Sequence, residues 1–241
     1  AIKPTLQAFN LEKLDSIATC GDINRNVVVS AHPAQSAVHA EVWSYADKIS
    51  NLLLPKTRAY YEIWLDEEKI LDKKDEDDPL YLTHYLPRKF KIAIAIAPNN
   101  DSDVFTNDIG LIAIIQNDKL QGFNIAIGGG MGSTHGNTNT YPRLANIIGF
   151  TDSEEKTLKA IYEIVTIQRD YGNRDDRKNA RLKYTIDKYG LDWFKQELAK
   201  RTGFELEPER PYTFAERHDY YTWQQNHKGL WYYTLFIENG R

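Results

Sequence analysis

The stretch Lys91–Ala97 reads KIAIAIA and alternates strictly between isoleucine and alanine after its first residue. Ile92, Ile94 and Ile96 therefore share one face of a predicted β-strand, and the alanines share the other face. Because the second face is also apolar and is lined only by small side chains, we expect both faces to be covered closely. The alternation predicts a strand inside a buried sheet.

The residues around this strand predict further strands. Two apolar runs, Leu111–Ile115 and Phe123–Ile127, flank the turn residues Asn117 and Asp118, which is the signal of a β-hairpin. The β-branched run Val27–Val29 predicts an earlier strand. Because strands are mixed with helices and hairpins and do not alternate regularly with helices, the sequence predicts an α+β fold built on a mixed sheet.

Helical periodicity marks four other segments. Apolar residues recur every three or four positions over Val38–Leu53 and again after Ser153. The segments Asn10–Ile17 and Leu191–Arg201 follow the same pattern. Leu230–Ile237 instead predicts a strand, which is apolar enough to require partners on both sides although little of the given chain remains to supply them.

The composition is that of an ordinary globular protein, and it excludes several classes of site. The 241 residues include 30 Lys and Arg and 34 Asp and Glu, for a net charge of −4, which argues against a general nucleic-acid coat. The single cysteine, Cys20, excludes a disulfide framework, a four-cysteine zinc site and an iron–sulfur cluster held by this chain alone. The six histidines show no recognised ligand spacing, so we assign no metal ligand.

The sequence shows neither a membrane segment nor a secretion signal. No run of about 18 apolar residues occurs, and the N-terminal residues lack the basic and apolar regions of a signal peptide. We therefore expect a cytoplasmic protein without a membrane partner. The chain does not begin with methionine, which fits either processing or a start inside a longer protein.

Cationic side chains stand at the beginnings of two predicted strands. Arg25 lies just before the first strand, a position that is by itself typical of a protein surface. In the motif LPRKFK, Arg88 is followed by Lys89 and Lys91, which lie two residues apart and so project to one face of an extended chain. Two ammonium groups on one face repel each other. Two such ammonium groups can lie close together if an anion binds between them or if both are exposed to water.

The segment Gly128–Asn139 contains five glycines among twelve residues, and it opens on Gly128, Gly129 and Gly130. It matches the dinucleotide-binding pattern G-x-G-x-x-G poorly, and it lacks the Lys-Ser/Thr pair of a P-loop. Glycines at this point indicate that the backbone approaches something closely. A flat cofactor and a tight turn are the two explanations.

The segment Asn173–Lys183, NRDDRKNARLK, carries five cations within ten residues. If the segment is helical, four of them share one face: Arg174, Arg177, Lys178 and Arg181. A basic helical face binds phosphate or carboxylate groups well, because arginine can contact them through two hydrogen bonds. A solvated helix that pairs these cations with the neighbouring aspartates is the alternative. Nucleic-acid binding would favour aromatic residues between the cations, and this segment contains few of them.

Several long motifs of this chain, taken in order, resemble those of assimilatory sulfite reductase hemoproteins and of the related siroheme nitrite reductases. They are TCGDINRNV, HAEVWSYADKISNLLLPKTRAYYEIWLDEEK, YLPRKFKIAI, GFNIAIGGG followed by HGN, QRDYGNRDDRKNARLKYT and LFIENGR. The resemblance covers essentially all of this chain but only the middle of the family's chain. The family's C-terminal region, with its four cluster-binding cysteines, has no counterpart here.

The resemblance implies a siroheme-dependent fold and activity. In that family siroheme, which carries eight carboxylates, is bridged by a cysteine thiolate to a 4Fe–4S cluster, and sulfite is reduced to sulfide by six electrons. Three cations are then expected to hold the substrate anion: Arg25, Lys89 and Lys91. The residues expected to contact siroheme are Arg88, Gly128, Gly129, Gly130, Asn173, Arg174, Arg177, Lys178 and Arg181. The cysteine ligands of the cluster are expected outside this chain.

The resemblance also implies an organisation in three parts. Residues 1–17 are expected to end a first ferredoxin-like half, residues 18–215 to bind siroheme and the anion, and residues 216–241 to begin a second ferredoxin-like half. The expected partners are sulfite or nitrite and an electron donor, either ferredoxin or a flavoprotein reductase, with no nucleic acid among them.

Lys91 distinguishes between the two substrates, because the family's nitrite reductases tend to replace the second lysine of this motif. It therefore favours sulfite. As a fragment, the chain is expected to be inactive alone. The alternatives are a fragment of a ferredoxin-type siroheme nitrite reductase, a non-enzymatic module that binds a nucleotide or RNA, and, least favoured, a dinucleotide-dependent enzyme.

Overall fold

The structure is a computed structural model that describes residues 22–30, 32, 35–56, 64–65, 68–69 and 78–238. The helix predicted over Asn10–Ile17 lies outside the described residues, as does the whole of the first predicted part, residues 1–17. The division at residues 215 and 216 stays a prediction.

A five-stranded sheet forms the centre of the described structure. Two short pairs of strands accompany it. In chain order the strands are β1 (Asn24–Val28), β2 (Trp64–Leu65), β3 (Glu68–Lys69), β4 (Phe90–Ile96), β5 (Ile109–Gln116), β6 (Lys119–Ile127), β7 (Asn146–Thr151), β8 (Thr222–Gln225) and β9 (Trp231–Thr234).

The central sheet is mixed, as the sequence predicts. Its strand order is β1-β4-β5-β6-β7. Strands β1, β4 and β5 are parallel, whereas β6 and β7 pair antiparallel. The KIAIAIA stretch forms β4, between two neighbours, and four consecutive side chains of that strand are fully buried: Ile92, Ala93, Ile94 and Ala95. The prediction of a strand covered on both faces is therefore confirmed.

The predicted hairpin is also present, as β5 and β6. Its turn residues Asn117 and Asp118 both adopt the left-handed conformation, with φ of +52° and +56°. Two consecutive left-handed residues twist the chain in the sense that the flanking strands require, and Asn and Asp tolerate this conformation better than most residues.

Four α-helices occur in the described residues. They are α1 (Ala37–Leu52), α2 (Glu154–Tyr171), α3 (Leu182–Tyr189) and α4 (Leu191–Thr202). Their apolar side chains and the isoleucines of β4 belong to one large core on one face of the sheet. On the other face, a smaller core joins Ala95 and Ile112 to the short turn Val104–Thr106 and to the rings of Tyr212 and Phe214.

The predicted C-terminal strand is shorter than expected. Only Trp231–Thr234 is extended, and within the described residues it pairs with β8 alone. The described residues thus supply a partner on one side of this segment, and the need for a second partner stays a prediction. The large side chains there are exposed, because the hairpin presents no face to either described core.

The predicted basic helix is likewise absent from residues 172–181. A single 3-10 turn forms at Arg177–Asn179, and α3 begins only at Leu182. Side chains compete for the backbone here: Oδ1 of Asn173 accepts hydrogen bonds from the amides of Asp175 (2.9 Å) and Asp176 (3.2 Å). Such local bonds favour turns over helix, and so the prediction of four cations on one helical face was wrong.

Candidate functional site

The candidate site lies at one end of the central sheet. Because β1, β4 and β5 are parallel, their first residues meet at the same end, and the antiparallel strand β6 finishes there. The register places Asn26 opposite Lys91, Ile92 opposite Ile109, and Ile109 opposite Ile127. The sheet thus brings the NRN, RKFK and GGG motifs side by side.

Five half-buried cations gather at this sheet end, and we call them the cation cluster: Arg25, Arg88, Lys89, Lys91 and Arg181. Burial lowers the pKa of the Lys89 ammonium, and the positive charges of the four other members lower it further. The neighbouring positive charges thus disfavour the charged form of Lys89, and a bound anion would offset this effect. The cation cluster therefore has the electrostatics of an anion site.

The three consecutive glycines follow β6 at the same sheet end. A Cβ at Gly129 would lie 2.2 Å from the carbonyl oxygen of Phe105, and a Cβ at Gly130 would lie 3.3 to 3.4 Å from the guanidinium of Arg181. The expected close approach is therefore real, and at Gly129 it is an approach to the protein's own backbone. Contact of these glycines with a cofactor stays a prediction.

Replacing Gly129 by alanine is expected to destabilise the chain by about 2–3 kcal/mol, because the new methyl group would overlap a backbone carbonyl that cannot move freely. Gly132→Ala is the matched control, since no atom lies within 4 Å of its added Cβ. Urea denaturation of the two variants measures the difference. A Gly129→Ala protein as stable as Gly132→Ala would show that the close contact is absent in solution.

The polar segment 172–181 is fixed beside the RKFK motif by its arginines. Arg174 donates hydrogen bonds to the carbonyl oxygens of His84 (3.1 Å) and Tyr85 (2.6 Å). Arg177 forms a two-bonded ion pair with Asp22, at 2.7 and 2.9 Å. These two guanidinium groups hold the segment in place, whereas Lys178 is exposed. Of the five predicted residues here, the structure brings Arg181 into the cation cluster.

Sequence reasoning missed Asp108, a buried carboxylate in the middle of the site. It precedes β5, and it pairs with Arg181 through two hydrogen bonds of 3.0 and 2.8 Å. One feature of the sequence could have indicated Asp108: like the RKFK motif, it lies at the start of a predicted strand. An aspartate in the loop TNDIG nevertheless looks like an ordinary turn residue.

Lys183 has a different role from its neighbours in the basic segment. Its side chain is 1% exposed, and its ammonium donates to the carbonyl oxygens of Gly130 (3.1 Å), Gly132 (2.9 Å) and Tyr141. The ammonium thus ties the glycine-rich loop to α3. Sequence reasoning counted Lys183 only as one cation among five.

The described residues provide neither a metal centre nor a membrane span. Within them, no group of three or more His, Cys, Asp or Glu side chains could hold a metal ion. None of the described helices is long and apolar enough to cross a membrane. His135, the histidine of the glycine-rich segment, is exposed to solvent.

Known proteins resemble this chain over most of its length. The family model described as the nitrite and sulphite reductase 4Fe-4S domain matches residues 44–206. The curated sulfite reductase (NADPH) hemoprotein beta-component of Leptospira biflexa is 57% identical over 240 residues, and the protein of the same name from Lysinibacillus sphaericus is 56% identical over 241 residues. The alignments cover all of this chain and 43% and 42% of those relatives.

The solved structure of the Mycobacterium tuberculosis NirA protein has the same fold. It superposes with a TM-score of 0.64 over 88% of this chain and 34% of the other, at 22% sequence identity. The mixed sheet with helices is therefore shared with that protein. The matched family model spans more than half of the chain, and the chain accordingly belongs to the nitrite and sulphite reductase family.

Proposed function

We propose that this chain is the central siroheme- and anion-binding part of an assimilatory sulfite reductase, an oxidoreductase that reduces sulfite to sulfide by six electrons. The cation cluster at the sheet end is the observation that carries the proposal. The relatives that support it are named sulfite reductase hemoproteins, and this chain spans about 43% of their length. The rest of the parent protein would supply what this chain lacks.

Arg25, Lys89 and Lys91 would hold the substrate anion. Their positive charges stabilise a bound dianion, and fixed charges at the reacting group act strongly where water is excluded. The lowered pKa of Lys89 makes its Nζ a better proton donor than an ordinary lysine when an oxygen leaves the anion. Lys91, whose strand position is fixed in β4, favours sulfite over nitrite by the resemblance to the family's sulfite reductases.

The residues present fit a cofactor that carries many carboxylates. A siroheme carboxylate at Arg88 would offset the positive charges around Lys89, and the exposed Lys178 could pair with another. Arg181 uses its Nε and Nη2 to bind Asp108, so it would have its Nη1 left to offer the cofactor. Siroheme would supply the redox-active iron at which the anion is reduced. Arg174 and Arg177 already hold backbone and carboxylate partners, so we assign them the task of fixing the segment beside the cofactor.

The residues of this chain do not fit an iron–sulfur cluster. Such clusters are held by several cysteine thiolates, and the chain contains one cysteine. The cluster ligands would therefore come from another part of the parent protein, and the chain alone would be inactive. The NADPH in the relatives' names favours an NADPH-linked reductase over ferredoxin as the electron donor.

The test uses the full-length parent protein produced together with siroheme biosynthesis. We expect a visible absorption band from bound siroheme, a change of that band on addition of sulfite, and reduction of sulfite in preference to nitrite. Failure of the full-length protein to bind siroheme would overturn the proposal. Salt-dependent binding of RNA that Lys91→Ala leaves unchanged would favour a nucleic-acid-binding module instead.

A further inference from the structure

Asp108 connects the three motifs of the candidate site. Its carboxylate is fully buried and accepts hydrogen bonds from the backbone amide of Lys91 (2.9 Å) and from Nε and Nη2 of Arg181. Its own backbone carbonyl accepts from the amide of Gly128 at 2.8 Å. One residue therefore contacts the RKFK motif, the glycines and the basic segment.

The presence of a buried ion pair is not explained by its contribution to stability alone. Removing a carboxylate from water is costly, and a well-packed apolar pair of the same size often stabilises a protein as well or better. What the Asp108–Arg181 pair provides in addition is direction, because the two parallel hydrogen bonds fix the plane of the guanidinium. The bond to the amide of Lys91 fixes the start of β4 in the same way.

We propose that Asp108 is a positioning residue of the anion site, whose buried carboxylate fixes Arg181 and the backbone at Lys91 and thereby orients the cation cluster toward the substrate anion. This inference rests on the proposed function. It adds a residue that acts through its neighbours, since the carboxylate itself is covered by the protein and would repel an anion.

If Asp108 positions the cations, Asp108→Asn should weaken anion binding, whereas if Asp108 only balances their charge, the same substitution should strengthen it. The substitution keeps the shape of the side chain and removes one negative charge from among the cations. If Asp108 only reduced the positive potential, its loss would tighten anion binding. If Asp108 positions the cations, its loss weakens anion binding even though the site becomes more positive.

The experiment titrates sulfite into the full-length, siroheme-loaded protein at constant ionic strength and follows the visible absorption band. We expect the Kd for sulfite to rise about tenfold in Asp108→Asn. Glu197→Gln is the matched control. It removes the charge from an arginine–carboxylate pair in α4, where Arg201 donates to Glu197 at 2.8 Å and the Glu197 side chain is 11% exposed, and it should leave the Kd for sulfite unchanged.

An unchanged or lower Kd in Asp108→Asn would overturn the proposal. If that variant retains no siroheme, Arg181→Lys decides, because it keeps the charge and loses the paired hydrogen bonds. Weaker sulfite binding in Arg181→Lys supports positioning, and unchanged binding overturns it. A wild-type protein that binds neither siroheme nor sulfite would instead overturn the proposed function, whatever Asp108 does.

Discussion

Alanine at Lys89 or at Lys91 is expected to lower kcat/KM for sulfite by about 100-fold or more in the full-length protein, with siroheme content unchanged. Each substitution removes one positive charge from the cation cluster. Lys89 interacts electrostatically with the other cations of the cluster, whose charges lower its pKa. Steady-state kinetics with sulfite and the visible absorption of the purified protein measure the two quantities.

The size of this effect follows from the position of the lysines at the sheet end. Both ammonium groups are half-buried, so they act in a medium where charges interact more strongly than in water. A neutral residue there would leave the developing charge on the substrate oxygens with one cation fewer to stabilise it. Lys159→Ala, which removes an exposed lysine from α2, is the matched control and should leave kcat/KM unchanged.

The pH dependence of sulfite binding tests the contribution of the Lys89 ammonium. Because the folded pKa of Lys89 is lowered, its ammonium loses the proton at a lower pH than an ordinary lysine, and sulfite binding should weaken as the pH rises through that pKa. Lys89→Arg keeps its charge throughout and should move the loss to higher pH. Equal loss of siroheme and activity in the alanine variants would contradict a substrate role and indicate a role in cofactor binding or folding.

Methionine at Lys183 is expected to destabilise the chain by about 3 kcal/mol, the second large effect. Methionine fills much of the space of the lysine side chain but donates no hydrogen bond. The carbonyl oxygens of Gly130, Gly132 and Tyr141 would lose the ammonium that they share. The Gly130 carbonyl would keep only the amide of Arg143 as a donor, so the expected loss comes from three hydrogen bonds to a charged group that disappear together.

Urea denaturation of the Lys183→Met chain measures this effect. Lys195→Met is the matched control, because that lysine is exposed on α4 and its removal should change stability by less than about 0.5 kcal/mol. Equal stability of the two variants would show that Lys183 does not hold the glycine-rich loop. A large loss confined to Lys183→Met would show that the loop depends on its ammonium.

The fold was largely predictable because its signals are local. The alternation in KIAIAIA reflects the two-residue period of a strand, and it marked β4 as a strand covered on both sides. The Asn117-Asp118 pair specified the hairpin turn through its tolerance of left-handed backbone. Where local signals conflicted, prediction failed: the cations of 174–181 suggested a helix, but the side chains of Asn173 and Asp176 bond the backbone instead.

The candidate site was predictable only as separate motifs. Arg25, Lys89 and Lys91 each stood out by charge at a strand end, and the resemblance to a known family linked them. Nothing in the spacing showed that Arg181 would join them while Arg174 and Arg177 would bind backbone carbonyls and Asp22. Asp108 and Lys183 look like a turn aspartate and one more surface cation until their burial is known.

By itself, the sequence determined the strands β1, β4, β5 and β6, the hairpin turn, the helices α1, α2 and α4, and the cationic character of the strand ends. The tertiary structure alone decided which cations meet. The parallel pairing of β1, β4 and β5 aligns their first residues at one sheet end, and a buried carboxylate at Asp108 then selects Arg181. The reason is physical: side-chain periodicity and turn chemistry act between near neighbours in the chain, whereas charges interact according to distance in space.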